Sequence, residues 1–174
     1  MPRTRPRFAI RMRVAAVAVS LSAALGGCAL LADVTTPTTE SDERATGEVA
    51  SITDGDTLRL VVNGEELRVR LTGIDTPELR ESECFADEAR DALAALAPVG
   101  SRIAFEYDDE RRDQYDRELM YLYAADGTFI NLALVEGGYA RELHYSPNYR
   151  YRDQIESAEA AAQAAAAGLW GACS

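Results

Sequence analysis

Two short stretches of the chain gather carboxylates around a guanidinium. The first is Asp54-Gly55-Asp56-Thr57. The second, one hairpin later, is Arg70-Leu71-Thr72-Gly73-Ile74-Asp75-Thr76-Pro77-Glu78. Two Asp and a Glu at the ends of neighbouring strands can converge. With a backbone carbonyl they form a hard-oxygen pocket suited to Ca²⁺ or Mg²⁺ rather than to soft metals. An Arg on the outward face of the intervening strand then stands beside the ion, and its planar fork matches phosphate oxygens. These are the parts that phosphodiester hydrolysis needs: positive charge for the oxygens on phosphorus, and a carboxylate to align and deprotonate water. Taken singly each piece is ordinary, since Asp-Gly-Asp is a common turn, Thr-Pro-Glu a common loop or helix entry, and a lone strand Arg a solvated residue. Their joint order and spacing carry the reading.

The elements that must position these residues follow from periodicity. Val49 to Ile52 and Thr57 to Val62 are β-branched and aliphatic, with Asp54-Gly55 between them, and Asn63-Gly64 is a strong hairpin signal. Glu66 to Leu71 alternates, with Leu67, Val69 and Leu71 on one face and Arg68 and Arg70 on the other. Phe85, Ala89, Ala92, Leu93 and Leu96 recur at helical spacing, and Pro98-Val99-Gly100 stops that helix. Strands are expected over Arg102 to Tyr107 and Glu118 to Ala124, with Tyr121 and Tyr123 as sheet packing. Helices are expected over Asn131 to Glu136 and Arg152 to Ala167. This order suggests a small antiparallel barrel with helices packed against it, class α+β.

The segment before the domain reads as an address. Arg3, Arg5, Arg7, Arg11 and Arg13 precede an apolar run, Val14 to Leu25, which ends at Leu25-Gly26-Gly27-Cys28. A basic start, a short apolar stretch and small residues describe a secretory signal peptide over residues 1–27. The Leu-Gly-Gly-Cys end resembles the lipobox of bacterial lipoproteins, which implies that Cys28 is acylated and anchors the chain outside the cell membrane; ordinary signal cleavage with secretion is the alternative. Residues 28–46, rich in Thr and acids, read as a flexible tether, and residues 47–174 as one domain. No apolar run approaches the ~20 residues of a membrane span.

All 18 basic residues are Arg, against 29 acids, one His and three Cys. Removing residues 1–27 removes five Arg and no acid, which takes the formal charge from −11 to −16. Non-specific adhesion to duplex nucleic acid or anionic lipid is therefore disfavoured, and any nucleic-acid chemistry must come from a small, locally basic or metal-loaded site. One His and three Cys are too few for a zinc finger or a histidine-rich zinc site, and no GxGxxG or GxxxxGK[ST] stretch is present.

The DGDT, RLTGIDTPE, DQYDR and AEAAAQAAAAGLW segments together resemble the thermonuclease family of staphylococcal-nuclease-like domains, from about Gly47 to Trp170. The resemblance implies an OB-like five-stranded barrel with three helices and Ca²⁺-dependent hydrolysis of DNA or RNA that leaves 3′-phosphates. It implies that Asp56 and Asp75 bind Ca²⁺ with the backbone carbonyl of Thr76, and that Glu78 orients or deprotonates the attacking water. Arg70 and Arg117 match the two catalytic arginines, and Tyr115 matches a tyrosine that bonds a substrate phosphate. Tyr145 is expected to be a base platform, which suits single-stranded substrates. Members often carry Gly on both sides of the second arginine, where this chain has Asp116 and Glu118, carboxylates expected to compete with phosphate for Arg117. The lone His144 is expected on the surface.

With Cys28 lipidated, Cys84 and Cys173 remain as an even pair in an oxidising compartment and are expected to bridge; two buried free thiols are the alternative. A monomer is expected. The competing functions are a non-catalytic OB-type module that binds nucleic acid or protein, and an exported structural lipoprotein. A pure nucleic-acid binder needs a basic groove, which the charge opposes, and has no use for Asp56, Asp75 and Glu78 beside Arg70.

Overall fold

The computed structural model of the chain describes residues 44–173. The expected signal segment, Cys28 and the tether as far as residue 43 lie outside the described residues. Five strands close into a barrel in the order β1-β2-β3-β6-β5: β1 is Ala45–Ile52, β2 Thr57–Val62, β3 Glu65–Leu71, β5 Arg102–Arg112 and β6 Glu118–Tyr123. A two-residue strand β4, Ile74–Asp75, pairs with β7, Arg141–Glu142. Three main helices, α1 (Ala86–Leu96), α2 (Ile130–Glu136) and α3 (Arg152–Ala164), pack on the barrel, and a short α4 follows over Leu169–Ala172. The class is α+β, as the element order predicts.

The barrel departs from the expected antiparallel arrangement at one seam. β3 pairs β6 in parallel, with Val69 beside Glu118 and Arg70 beside Leu119, whereas the other four seams are antiparallel. A closed ring of five strands cannot alternate direction all the way round, because five is odd. The parallel seam joins the two strands that carry or adjoin the arginines. The domain also begins before residue 47: Ala45 and Thr46, read as tether, pair with Phe105 and Ala104 of β5, and the Arg44 guanidinium lies 3.8 Å from the Tyr123 ring centroid.

Alternation decides what enters the barrel. Leu58, Leu60, Val69 and Leu71 point inward with Ile103, Phe105, Met120 and Leu122, while Arg68 and Arg70 stay on the outer face. Leu93 of α1, Leu134 of α2 and Ile155 of α3 close the core. Burying each such side chain contributes roughly 1.5–3 kcal/mol. Asn131, fully buried at the start of α2, ties the helix to the site's strands. Its Oδ1 accepts from Leu122 N at 3.0 Å, and its Nδ2 donates to Thr72 O at 2.9 Å and Met120 O at 3.3 Å.

Candidate active site

The turn between β1 and β2 sets Asp56 at the base of the site. Gly55 is required there by close approach, since a Cβ would stand 2.8 Å from both the Ala89 Cβ and the Thr76 Oγ1. Asp56 is buried: its Oδ2 accepts from the Thr76 backbone N–H at 2.9 Å and Oγ1 at 3.1 Å, and its Oδ1 accepts from Thr57 Oγ1 at 3.1 Å. These bonds clamp the loop after β3 onto the turn before β2. Burial pushes the Asp56 carboxyl up to about 6, against the nearby Arg70 and with the help of Asp54 and Asp75.

Arg70 spans the two carboxylates expected to hold metal. Its Nη1 lies 2.9 Å from Asp56 Oδ2 and its Nη2 lies 2.8 Å from Asp75 Oδ1. Nη1 also donates to the carbonyls of Leu71 at 3.0 Å and Ile74 at 2.8 Å. One guanidinium edge is thus consumed in pinning the β3–β4 turn. Nε–H and the second Nη2 hydrogen have no partner among the described residues, and they leave a side-on fork of the kind a phosphate takes.

The residues fit a hard divalent cation. Asp54 and Asp75 act to raise both Asp56 and Glu78, with Arg70 opposing, so the acids of the site outnumber its nearest guanidinium, which contacts Asp56 and Asp75. Such a surplus of negative oxygen favours a bound divalent ion. Among the described residues no three acid, His or Cys side chains converge into a ready cage. Asp56, Asp75 and the Thr76 carbonyl are the oxygen groups here that could hold such an ion.

Glu78 is exposed, at the start of the 3₁₀ turn Leu79–Glu81, and its backbone N–H donates to Glu83 Oε2 at 3.0 Å. Partial burial, then Asp54 and Asp75, raise its pKa, with Arg70 opposing. A carboxylate displaced upward is a better base near neutrality. Six of the expected residues, Arg70, Asp75, Glu78, Tyr115, Arg117 and Tyr145, line one cleft of about 570 Å³. Asp56 and Thr76 are not on its wall; they lie buried beneath it.

Arg117 enters the cleft free of the competition expected from its neighbours. Asp116 and Glu118 are both taken by Arg112, whose Nη1 lies 3.0 Å from Asp116 and whose Nε lies 2.6 Å from Glu118. Arg117 is held instead by Asp113 at 2.7 Å through Nε, so both Nη groups remain without a partner among the described residues. Asp116 takes the left-handed conformation, φ 58°, where a Gly neighbour would otherwise serve. Tyr115 and Tyr145 are the exposed rings of the cleft, at 64% and 71%.

His144 is not on the surface. Its side chain is 2% exposed, Nδ1 lies 2.6 Å from Glu142 Oε1, and Nε2 is buried without a partner, facing Gly73. β4 and β7 draw residues 141–144 under the β3–β4 turn, which two-residue strands give no periodicity to reveal. Asp113 and Asn148 escaped sequence reasoning as positioning residues. Asn148 accepts from Glu110 N at 2.8 Å and donates to Glu110 O at 2.9 Å, fastening the Tyr145 loop to β5. An Asp two residues before Tyr115 in a turn was the available signal for the first. Cys84 and Cys173 are bonded to each other.

Comparison with known proteins agrees with this geometry. Residues 68–172 match the family model described as staphylococcal nuclease homologue. The chain is similar to a thermonuclease of Staphylococcus intermedius, 35% identical over 125 residues that cover 70% of this chain and 74% of that protein. It is similar to a thermonuclease of Staphylococcus hyicus at 32% over 129 residues, 72% and 75% of the two chains. Endonuclease YncB of Bacillus subtilis is 33% identical over 122 residues, covering 67% of this chain and 57% of that one. With the barrel, the acid cluster and the two arginines in one cleft, the chain belongs to the staphylococcal nuclease homologue family.

Proposed function

We propose that the protein is an endonuclease that hydrolyses phosphodiester bonds of DNA or RNA, with Ca²⁺ as its cofactor. The observation that carries this is the convergence of two partly unsatisfied guanidinium forks, Arg70 and Arg117, with Glu78 in the cleft above Asp56 and Asp75. The two forks bind and neutralise oxygens on the scissile phosphorus. Glu78 accepts a proton from the water that attacks phosphorus, the P–O5′ bond breaks, and the leaving 5′-oxygen takes a proton from solvent water, which leaves a 3′-phosphate. Asp56, Asp75 and the Thr76 carbonyl would hold Ca²⁺, which supplies further positive charge to the phosphate when bound. Thermonuclease and endonuclease relatives support the same chemistry.

Exposed Tyr115 and Tyr145 offer faces for unpaired bases, so single-stranded substrates are favoured. The basic, apolar start of the chain supports export and anchoring through Cys28 as a lipid-bearing monomer outside the cell membrane. The test is cleavage of a fluorogenic single-stranded DNA with Ca²⁺ and with chelator, with product ends read by mass. Ca²⁺-dependent release of 3′-phosphates is expected. Activity indifferent to chelator would overturn the metal role, and no cleavage under any condition would overturn the enzyme.

A further inference from the structure

The barrel's outer face carries a basic row that the cleft does not use up. In the β2–β3 register Arg59 stands opposite Arg68, and the parallel seam pairs Val69, the residue after Arg68, with Glu118, the residue after Arg117. Arg70 follows two residues along the same face of β3. Arg59 is neutralised by Glu66 at 2.7 Å, Arg117 by Asp113, and Arg70 by Asp56 and Asp75. Arg68 is exposed and has no acidic partner among the described residues. In a chain with a formal charge of −11, an uncompensated guanidinium two residues from Arg70 is a local positive point on an acidic surface.

We infer that Arg68 binds a phosphate of the substrate strand beside the scissile one, so that the strand leaves the cleft over the outer face of β3. Two residues of strand cover about 6.6 Å, comparable with the spacing of successive phosphates in an extended single strand. The face runs from Arg70 to Arg68 without a bulge in the β2–β3 pairing. The contact is a backbone contact: it adds length dependence and salt dependence, and it selects no base. It rests on the reading of the site as a nuclease.

The experiment compares wild type, Arg68→Gln and Arg68→Glu on a thymidylate dinucleotide and a twelve-residue thymidylate strand. Arg102→Glu, outside the cleft, controls for net charge. Cleavage is measured with Ca²⁺, and binding of the labelled twelve-mer is measured by anisotropy in chelator. Arg68→Glu is expected to lower the ratio of kcat/KM on the twelve-mer to that on the dinucleotide about tenfold. It should weaken twelve-mer binding by a similar factor, and Arg68→Gln should reduce the salt slope by about one. Equal losses on both substrates, or a loss matched by Arg102→Glu, would overturn the inference while leaving the nuclease intact. Selective loss of binding in a protein that cleaves nothing would keep the phosphate contact and overturn the enzyme. A wild type that neither binds nor cleaves would overturn both.

Discussion

Asp113 holds Arg117 at two points: its Oδ1 accepts the Arg117 backbone N–H at 2.9 Å and its Oδ2 accepts Nε at 2.7 Å. Burial works to raise the Asp113 carboxyl, but the bonds from Arg117 and from the Tyr115 N–H override it and keep the group below the usual carboxylate range. The carboxylate therefore stays ionised to lower pH than a free aspartate does, and one edge of the guanidinium is fixed while the other faces the cleft. Asp113→Ala frees the side chain and undoes the turn, and kcat/KM is expected to fall by about 10–100-fold, because misplacing a charge-stabilising group costs transition-state binding. Asp116→Gly, which suits φ 58° and frees only Arg112, should stay within about twofold of wild type. A gain in activity there would mean that Asp116 does compete for Arg117.

The proposed base makes a prediction about pH. Burial, Asp54 and Asp75 raise Glu78, and only its ionised form can accept a proton, so activity should fall as pH drops through a value above the ordinary glutamate range. Glu78→Gln should cut kcat by about 10²–10⁴-fold. Asp54→Asn removes one of the three acids, Asp54, Asp75 and Glu81, that raise Glu78, so the acid limb of kcat/KM should move to lower pH. A limb at unchanged pH in Asp54→Asn would show that a different group titrates there.

Asp56 gives a stability effect of unusual sign. In the unfolded chain it titrates near 4, at roughly the free aspartate value, and in the native protein burial lifts it to about 6. Between those values the native state binds more protons, so unfolding free energy drops as pH rises through the window. For the metal-free protein, Asp56→Asn should therefore raise Tm at pH 7 relative to wild type, and the gap should close as pH falls toward 4. Thermal melts in chelator at several pH values check this. A gap that stays constant from pH 7 to pH 4 would mean that Asp56 is not the titrating group.

Much of the site was legible because its parts are local. DGDT and RLTGIDTPE each span fewer than ten residues, and the alternation of Leu67, Val69 and Leu71 against Arg68 and Arg70 already aims Arg70 outward. What was not legible depends on register between distant strands. Arg112 captures Glu118 because a shift in the β5–β6 pairing after Tyr107 sets those two residues opposite each other, and no spacing along the chain encodes that. His144 was misplaced for the same reason: its burial follows from the β4–β7 pairing, not from a pattern of its neighbours. The parallel seam was hidden until five strands had to close a ring.

Gly73 and His144 fit as a pair, and the fit is testable. Gly73 has φ +80°, and a Cβ on it would stand 2.7 Å from His144 Nε2. Gly73→Ala therefore incurs a left-handed penalty of about 1–2 kcal/mol plus the clash. The carbonyls of Gly73 and Ile74 accept from Leu143 and Arg70, so the variant should also lose activity. Adding His144→Ala should recover the clash and not the backbone penalty. Chemical denaturation of the two single variants and the double variant measures the coupling. Strict additivity would show that the imidazole does not fill the space above Gly73.

The disulfide links the tail to the loop of the proposed base. Cys84 follows Glu83, whose carboxylate accepts the Glu78 N–H, and Cys173 follows α4, so the bond ties the C-terminal turn to the loop that carries Glu78. Closing a loop across a sequence separation of 89 is worth about 4–5 kcal/mol in the chain-entropy model. The C-terminal turn is also tied by Leu169, which is buried and whose N–H donates to Gly138 O at 2.9 Å, and by Trp170, whose ring centroid lies 4.8 Å from the Arg141 guanidinium. Reduction should therefore lower Tm by many degrees and let residues 165–173 fray. Because the same bond steadies Glu83, kcat should fall on reduction at temperatures where the barrel is still folded, and KM should change less. Cys84→Ser with Cys173→Ser reproduces the reduced state without reductant, and circular dichroism with steady-state kinetics reads both effects. Unchanged kcat in a folded, cysteine-free variant would confine the disulfide to stability and leave Glu78 positioned by Glu83 alone.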